Sequence, residues 1–348
     1  MSDGASKRWS LARRLLGLTA SVAFSAMVLV LLWRWHGLGF DQLLHEWRAA
    51  DKTLLLIVVV GSAAFHIFVG AHKQGLILRS MGVDIRFGEM LRVRLGTGPL
   101  RLMLPLSAGE YVQIVYFWGH RRMPLGHASG ALVFDRGLNL LGATFWLALG
   151  FAVLPDVART AGAAPRAPLL RWGLFVGVLV LYALIFFVPR VLALGVRLAR
   201  RIHRKVGDLA EGLAAPFVEF SVGRKLLLVV YGIVFQLRPL LVCLGLLAAY
   251  HLPHQAEHVM AYGSIAVFAG YTPGAMAGMG PREVAVVQTF SRLGAPADAL
   301  FSVGLLMTFA QNVLPMMLGV PWLIWFVRRL RRREPTESEE RPWTSAAK

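Results

Sequence analysis

Long apolar runs, separated by short polar and basic segments, dominate the pattern of this chain. A helix of about 20 apolar residues is long enough to cross a ~30 Å hydrocarbon core. Six runs are long and apolar enough, and we predict full transmembrane helices at 15–33, 53–78, 125–154, 172–189, 226–250 and 299–327. The predicted fold class is therefore an all-α integral membrane protein.

Two further regions are too polar or too short to span. The first, 86–120, contains several charged residues, and its apolar piece 111–119 rises only about 13 Å as a helix. The second, 258–292, is predicted as an apolar helix to Tyr271, a Gly/Pro break and a short helix after Glu283. Broken backbone at membrane depth is tolerated where it lines protein or water. We therefore predict two re-entrant helical hairpins and eight membrane segments in all.

Both hairpins carry a similar motif of Pro, Gly and Glu in apolar surroundings. The motif residues are Pro105, Gly109 and Glu110 in the first half and Pro273, Gly274, Gly278, Gly280, Arg282 and Glu283 in the second. A second proline, Pro124 or Pro296, then begins the next long apolar segment. A helix breaker beside an ionisable group at corresponding places in two halves indicates a transport site.

The order of segments predicts how the two halves are related. Each half contains span, span, hairpin and span, and three full spans place the start of the second half on the opposite side of the membrane. We therefore predict an inverted repeat, whereas counting the hairpins as spans would give parallel halves. The predicted divisions are a basic N-terminus at 1–14, repeats at 15–160 and 165–330, and a disordered cytoplasmic tail at 331–348.

The charge distribution predicts the orientation. Lys and Arg outnumber Asp and Glu 37 to 19, which gives a formal net charge of +18. If the N-terminus is cytoplasmic, most of the basic residues lie in cytoplasmic segments, in agreement with the positive-inside rule. We therefore expect a multi-pass protein of the bacterial inner membrane with both termini in the cytoplasm. The excess charge then contacts anionic lipids, and no nucleic acid partner is predicted.

Several ionisable residues lie where an apolar environment makes a charge costly. The predicted path for a substrate or lipid head group contains Arg101, Glu110, Asp135, Arg136, Arg238, Arg282 and Glu283. The prolines and glycines of the two motifs supply the backbone of the hairpin tips, and a helix N-terminus held there suits a phosphate group.

Two structural alternatives stay open for these residues. Glu110 and Glu283 have the sequence context of helix N-terminal caps. Asp135 and Arg136 are equally compatible with a salt bridge between helices, with Asn139 one turn from Asp135. In the second span, Lys73 either lines a path or marks the cytoplasmic end of the helix.

The combined motifs resemble a known family. Leu104, Pro105, Gly109 and Glu110, followed by Asp135–Arg136 and by the second Pro/Gly/Glu motif, are similar to the flippase-like membrane domain of lysylphosphatidylglycerol synthases, which also occurs as stand-alone proteins. The resemblance covers most of residues 10–330. It implies lipid translocation, and its members are associated with aminoacylated phospholipids, hopanoids or polyprenyl-linked sugars. The synthase domain would follow residue 330, so synthase activity is not expected.

These observations lead to one preferred function and two alternatives. We predict a flippase that moves a polar-headed lipid between leaflets, with membrane lipids as partners, no cofactor and no metal ion. The lipid is a phospholipid or an aminoacylated, glycosylated or polyterpenoid lipid. The alternatives are a membrane-embedded transferase or phosphatase acting on a lipid-linked substrate, and a non-transporting partner of lipid-modifying enzymes. The sequence contains no H-E-x-x-H metal motif and no nucleotide-binding P-loop.

Overall fold

The computed structural model describes residue 19 and residues 22–37, 39–103, 111–154, 167–272, 275 and 278–331. Regular structure in these ranges is helical throughout. The helices are α1 (Val22–His36), α2 (Phe40–Ala49), α3 (Lys52–Ser80), α4 (Phe87–Met103), α5 (Val112–His120), α6 (Leu125–Val153), α7 (Ala167–Phe187), α8 (Pro189–Ile202), α9 (Arg204–Glu219), α10 (Val222–Ala249), α11 (256–269), α12 (Pro281–Phe290) and α13 (Ala297–Leu330). Helices α11 and α13 each contain one π-helical turn, at Val259–Gly263 and Phe309–Val313.

Four helices in the described ranges are long and apolar enough to cross a membrane, namely α3, α6, α10 and α13. They coincide with four of the six predicted spans. Helix α1 and residues Asp41–Ala49 pass the same test as a pair but are bent by 92°, and α7 contains a shorter apolar helix, Phe175–Phe187. Apolar side chains such as Leu56 and Val230 are exposed on the long helices, as expected for contact with lipid. The chain is a multi-pass membrane protein, whereas the count of six spans plus two hairpins and the inverted repeat remain predictions.

Prolines mark the starts of four helices in the described ranges, and besides Pro189, the first residue of α8, three of them were singled out from the sequence. Pro124 and Pro296 are the N-cap residues of α6 and α13, and Pro281 is the first residue of α12. Proline fits these positions because its φ angle suits the first helical turn and because the backbone N–H that it lacks would have no partner within the helix. The expectation that a second proline begins the next long apolar segment in each half is therefore confirmed.

Short helices occupy both regions that were predicted as hairpins. Helices α4 and α5 lie within 86–120, and α11 and α12 account for most of 258–292. Gly280, the N-cap of α12, has a φ of 94°, in the left-handed region that favours glycine. The tip residues Pro105, Gly109, Glu110, Pro273 and Gly274 lie outside the described residues, as does the side chain of Arg101. Re-entry of these helices into a membrane remains a prediction.

The described residues group into two compact units. The first draws on segments 1–65, 98–110 and 238–319, and the second on 66–97, 111–237 and 320–348. In the first unit, α12 packs against α11 and α13, and α13 also contacts α2. In the second unit, α6 contacts α5, α7 and α9. The division into repeats at 15–160 and 165–330 stays a prediction.

Close contact between α6 and α9 in the second unit depends on glycine. A Cβ atom placed on Gly130 would overlap the carbonyl oxygen of Gly212, and one on Gly212 would lie 2.6 Å from the Cα of Gly126. These neighbours are backbone atoms and cannot rotate away. Beside this contact, the ring centroids of Phe134 and Phe217 are 4.8 Å apart, so small residues and aromatic rings together fix the position of the two helices.

We predict that Gly130→Ala lowers the free energy of unfolding by about 1 to 3 kcal/mol, because the added methyl group forces α6 and α9 apart. The melting temperature of the purified protein in detergent measures this effect. Gly177→Ala is the matched control, since an added Cβ on this exposed glycine of α7 would meet no atom within 4 Å. The control should melt at or slightly above the wild-type temperature. Equal melting temperatures for the two variants would contradict the packing argument.

Candidate functional site: buried charges in two units

The second unit contains a fully buried ion pair. Lys73 on α3 and Asp135 on α6 lie with Nζ and Oδ1 2.9 Å apart, and their side chains are only 1% and 6% exposed. A charge in such surroundings is strongly destabilising unless an opposite charge and hydrogen bonds compensate it. The helix-to-helix salt bridge offered by the sequence is therefore present at Asp135, and its partner is Lys73.

Amide side chains complete the contacts of this pair. Lys73 Nζ also donates to Asn139 Oδ1, one turn along α6 from Asp135, and lies 4.5 Å from the centre of the Phe235 ring. Gln74 Nε2 donates to the second carboxylate oxygen of Asp135 at 3.3 Å. We call Lys73, Gln74, Asp135 and Asn139 the Lys73 cluster. It links α3 to α6 within the second unit.

A small cavity of about 20 Å³ borders the Lys73 cluster. Gln74, Gln113 and Asp135 provide its polar lining, and the rest of the lining is mostly apolar. A volume of this size holds about one water molecule. The cavity therefore gives the cluster room for a single small polar molecule and none for a lipid head group.

A buried arginine lies nearby in the same unit. The Nη2 atom of Arg94, on α4, is 3.2 Å from Nε2 of His66, and the His66 ring packs against Phe235. A Cβ atom on Gly70 would overlap the Arg94 guanidinium, so glycine at this position of α3 makes room for the cation. Arg94 is not among the site residues predicted from the sequence. Its burial depends on Gly70, which lies 24 residues earlier and carries no signal of its own.

Glu283 of the first unit is a buried helix cap. It lies in the first turn of α12 with an exposed fraction of 0%. The backbone N–H of Gly280 donates to Oε2 at 2.6 Å, and Thr308 Oγ1 donates to Oε1 at 2.8 Å. Both carboxylate oxygens thus have partners. The capping role, one of the two alternatives for this glutamate, is present in the structure.

Arg282 lies next to this cap and is only 6% exposed. Its Nη1 donates to Thr308 Oγ1 at 3.1 Å, while its buried Nε has no hydrogen-bond partner in the described ranges. A Cβ atom on Gly270, just after α11, would overlap this guanidinium, so glycine again provides the space. The guanidinium group has five N–H donors in a planar fork that suits carboxylates and phosphates.

Arg238, in the same unit, has a different environment. It precedes Pro239 within α10, is 8% exposed, and donates from Nη1 to Ser62 Oγ of α3 at 3.2 Å. A buried hydroxyl compensates part of the cost of this charge. Arg238 is one of the path residues predicted from the sequence and lies within the predicted span 226–250; its side chain is buried in the structure.

The predicted path residues are thus distributed over several environments. Arg282, Glu283 and Arg238 belong to the first unit, while Asp135 and the half-buried Arg136 belong to the second. Sequence reasoning did not identify Thr308 as a partner of the motif or Lys73 as the partner of Asp135. Both contacts join residues far apart in the chain, and only helix packing reveals them.

The chemistry of these groups favours ion recognition. No group of three His, Cys, Asp or Glu side chains in the described part of the chain is arranged to hold a metal ion. Arg282 is a buried cation whose Nε has no hydrogen-bond partner in the described ranges. Such a group would bind an anion in surroundings that exclude water.

The chain matches a known protein family. The family model described as "Lysylphosphatidylglycerol synthase TM region" matches residues 16–319. This range includes the Lys73 cluster, Arg238 and the second Pro/Gly/Glu motif. No curated protein matches the chain.

We predict that Asp135→Asn destabilises the protein by about 3 to 5 kcal/mol, because the substitution leaves the Lys73 ammonium buried without its counter-charge. Replacing both partners, as in Lys73→Met combined with Asp135→Leu, should restore most of the stability because neither charge then remains buried. Thermal unfolding in detergent measures both effects.

Asp84→Asn serves as the control because this aspartate is exposed on the short connection before α4. Its melting temperature should match that of the wild type. If Asp135→Asn also melted at the wild-type temperature, or if the double variant were less stable than Asp135→Asn, the ion pair would not have the structural role assigned to it.

Proposed function

Because the chain belongs to the lysylphosphatidylglycerol synthase TM-region family, and is thus a membrane protein tied to lipid metabolism, we propose that it moves a polar-headed lipid between the two leaflets of a membrane. Such a protein must shield the head group from hydrocarbon while the acyl chains stay in the lipid phase. The lipid class proposed is one with an anionic group in its head group, a phospholipid first of all.

The observation that carries this proposal is the environment of Arg282. Its guanidinium is buried, donates one hydrogen bond to Thr308 and keeps Nε without a partner in the described ranges. The neighbouring Glu283 carboxylate is occupied by Gly280 and Thr308. A phosphate bound to the Arg282 guanidinium would therefore not have to displace the cap of α12.

The helix beginning at Pro281 adds to the attraction for an anion. The N-terminus of an α-helix carries a partial positive charge, which favours phosphate. The negative charge of the Glu283 carboxylate opposes this attraction, and the positive charge of the Arg282 guanidinium offsets that of the carboxylate. Within the first unit, the proposed path also contains Arg101, Glu110 and Arg238.

We predict that Arg282→Gln lowers the rate of lipid translocation roughly tenfold or more, because hydrogen bonds from a charged donor to a phosphate are lost. The measurement uses proteoliposomes that contain an acyl-labelled fluorescent phosphatidylglycerol. Dithionite added outside bleaches the outer leaflet at once, and the slower loss of fluorescence reports outward movement.

Arg292→Gln is the matched control, since it removes the same charge from an exposed side chain in the turn that follows α12. Its rate should equal that of the wild type, and both variants should show wild-type gel-filtration profiles. A wild-type rate for Arg282→Gln, or an equal loss in both variants, would refute the role proposed for Arg282.

A further inference from the structure

The second unit also contains a basic cavity, and no residue of the Lys73 cluster lines it. A cavity of about 390 Å³ is lined by Arg86, Gly88, Glu89, Arg92, Tyr116, Trp325 and Arg329. This volume falls within the ~300–1,000 Å³ range of small-molecule sites. Three of the seven residues that line the cavity are arginines. The net charge of this lining therefore determines which ligands the cavity can bind.

The one acidic residue in this lining is already neutralised. Glu89, in the first turn of α4, accepts a hydrogen bond from Tyr116 Oη at 2.8 Å and one from Arg121 Nε at 2.9 Å. The Arg121 Nη2 atom also pairs with the other carboxylate oxygen. Arg121 therefore cancels the charge of Glu89, and the three arginines of the lining remain without compensation from it.

The contacts of these three arginines leave their charges available. Arg329 Nε donates to His120 Nε2 at 2.9 Å, and the Arg92 guanidinium lies 5.8 Å from the centre of the Trp325 ring. Neither contact supplies a negative charge. No acidic side chain in the described ranges forms an ion pair with Arg86, Arg92 or Arg329. The cavity therefore presents a net charge of about +3, which is complementary to a phosphate-bearing anion.

The position of the cavity on α13 favours a lipid as the source of that anion. Val320 and Ile324, five residues and one residue before Trp325, are 54% and 59% exposed, as expected for side chains in contact with acyl chains. Tryptophan is enriched at the boundary between hydrocarbon and head groups. The three arginines also belong to segments that the positive-inside rule predicts as cytoplasmic, where anionic lipids attract basic residues.

We infer that this cavity binds the phosphate head group of an anionic phospholipid, with the acyl chains along the exposed apolar face of α13. The site requires no movement of lipid between leaflets and is independent of Arg282. It holds a lipid at one end of α4 and α13. Lipid binding at this cavity can therefore be measured even if the protein does not transport lipid.

The test is native mass spectrometry of the full chain in detergent, titrated with phosphatidylglycerol and separately with phosphatidylcholine. The triple variant Arg86→Gln, Arg92→Gln, Arg329→Gln should bind phosphatidylglycerol at least about tenfold more weakly than the wild type. The matched control Arg197→Gln, Arg204→Gln, Arg224→Gln removes three exposed arginines of the same unit outside the cavity and should bind normally. A single Arg92→Glu variant gives the same readout if the triple variant does not fold.

The comparison of the two lipids tests selectivity for an anionic head group, and inorganic phosphate as a competitor tests whether the site binds soluble phosphate. The wild type should prefer phosphatidylglycerol to the zwitterionic lipid, and inorganic phosphate at the same concentration should not displace it. Wild-type affinity for phosphatidylglycerol in the triple or the Arg92→Glu variant would overturn the inference. Displacement by an equal concentration of inorganic phosphate would overturn it as well, because the site would then bind soluble phosphate rather than lipid.

Discussion

A charged side chain within an apolar helix must meet an opposite charge or a hydrogen-bond partner, because hydrocarbon offers no water to solvate it. Lys73 meets Asp135, Arg238 meets Ser62, and Glu283 accepts the N–H of Gly280. Each contact ties together segments that are distant in the chain or fixes the start of a helix. The same requirement that stabilises the helix packing therefore positions the groups that we propose to recognise a polar head group.

Glycine makes these arrangements possible. The guanidinium of Arg94 lies against Gly70 and that of Arg282 against Gly270, and in both cases a Cβ atom would occupy the space of the cation. Between α6 and α9, glycines perform a different task and bring two backbones into contact. A buried cation and a close helix contact thus depend on the same property, the absence of a side chain at one position.

Local chemistry allowed the helix starts and most long apolar helices to be predicted, because Pro124, Pro281 and Pro296 act through their own backbone and an apolar run carries its signal in the sequence. The cap of α12 was also foreseeable from the spacing of Gly280 and Glu283. The partners of the buried charges were not. Lys73 is 62 residues from Asp135, and Thr308 is 25 residues from Glu283, so these pairs depend on helix packing.

The family shows a membrane protein tied to lipid metabolism, and the buried cations support the proposal that it carries a lipid head group past hydrocarbon. The most direct test is leaflet-selective amine labelling of phosphatidylethanolamine in vesicles with and without the wild-type protein, reconstituted together with phosphatidylglycerol. In vesicles that contain the protein, the leaflet whose phosphatidylethanolamine has been labelled should regain unlabelled lipid faster than in protein-free vesicles. If the protein selects anionic lipids, labelled phosphatidylglycerol analogues should move between the leaflets faster when the protein is present. Equal rates of movement in vesicles with and without the protein, for both lipids, would contradict the proposed lipid translocation.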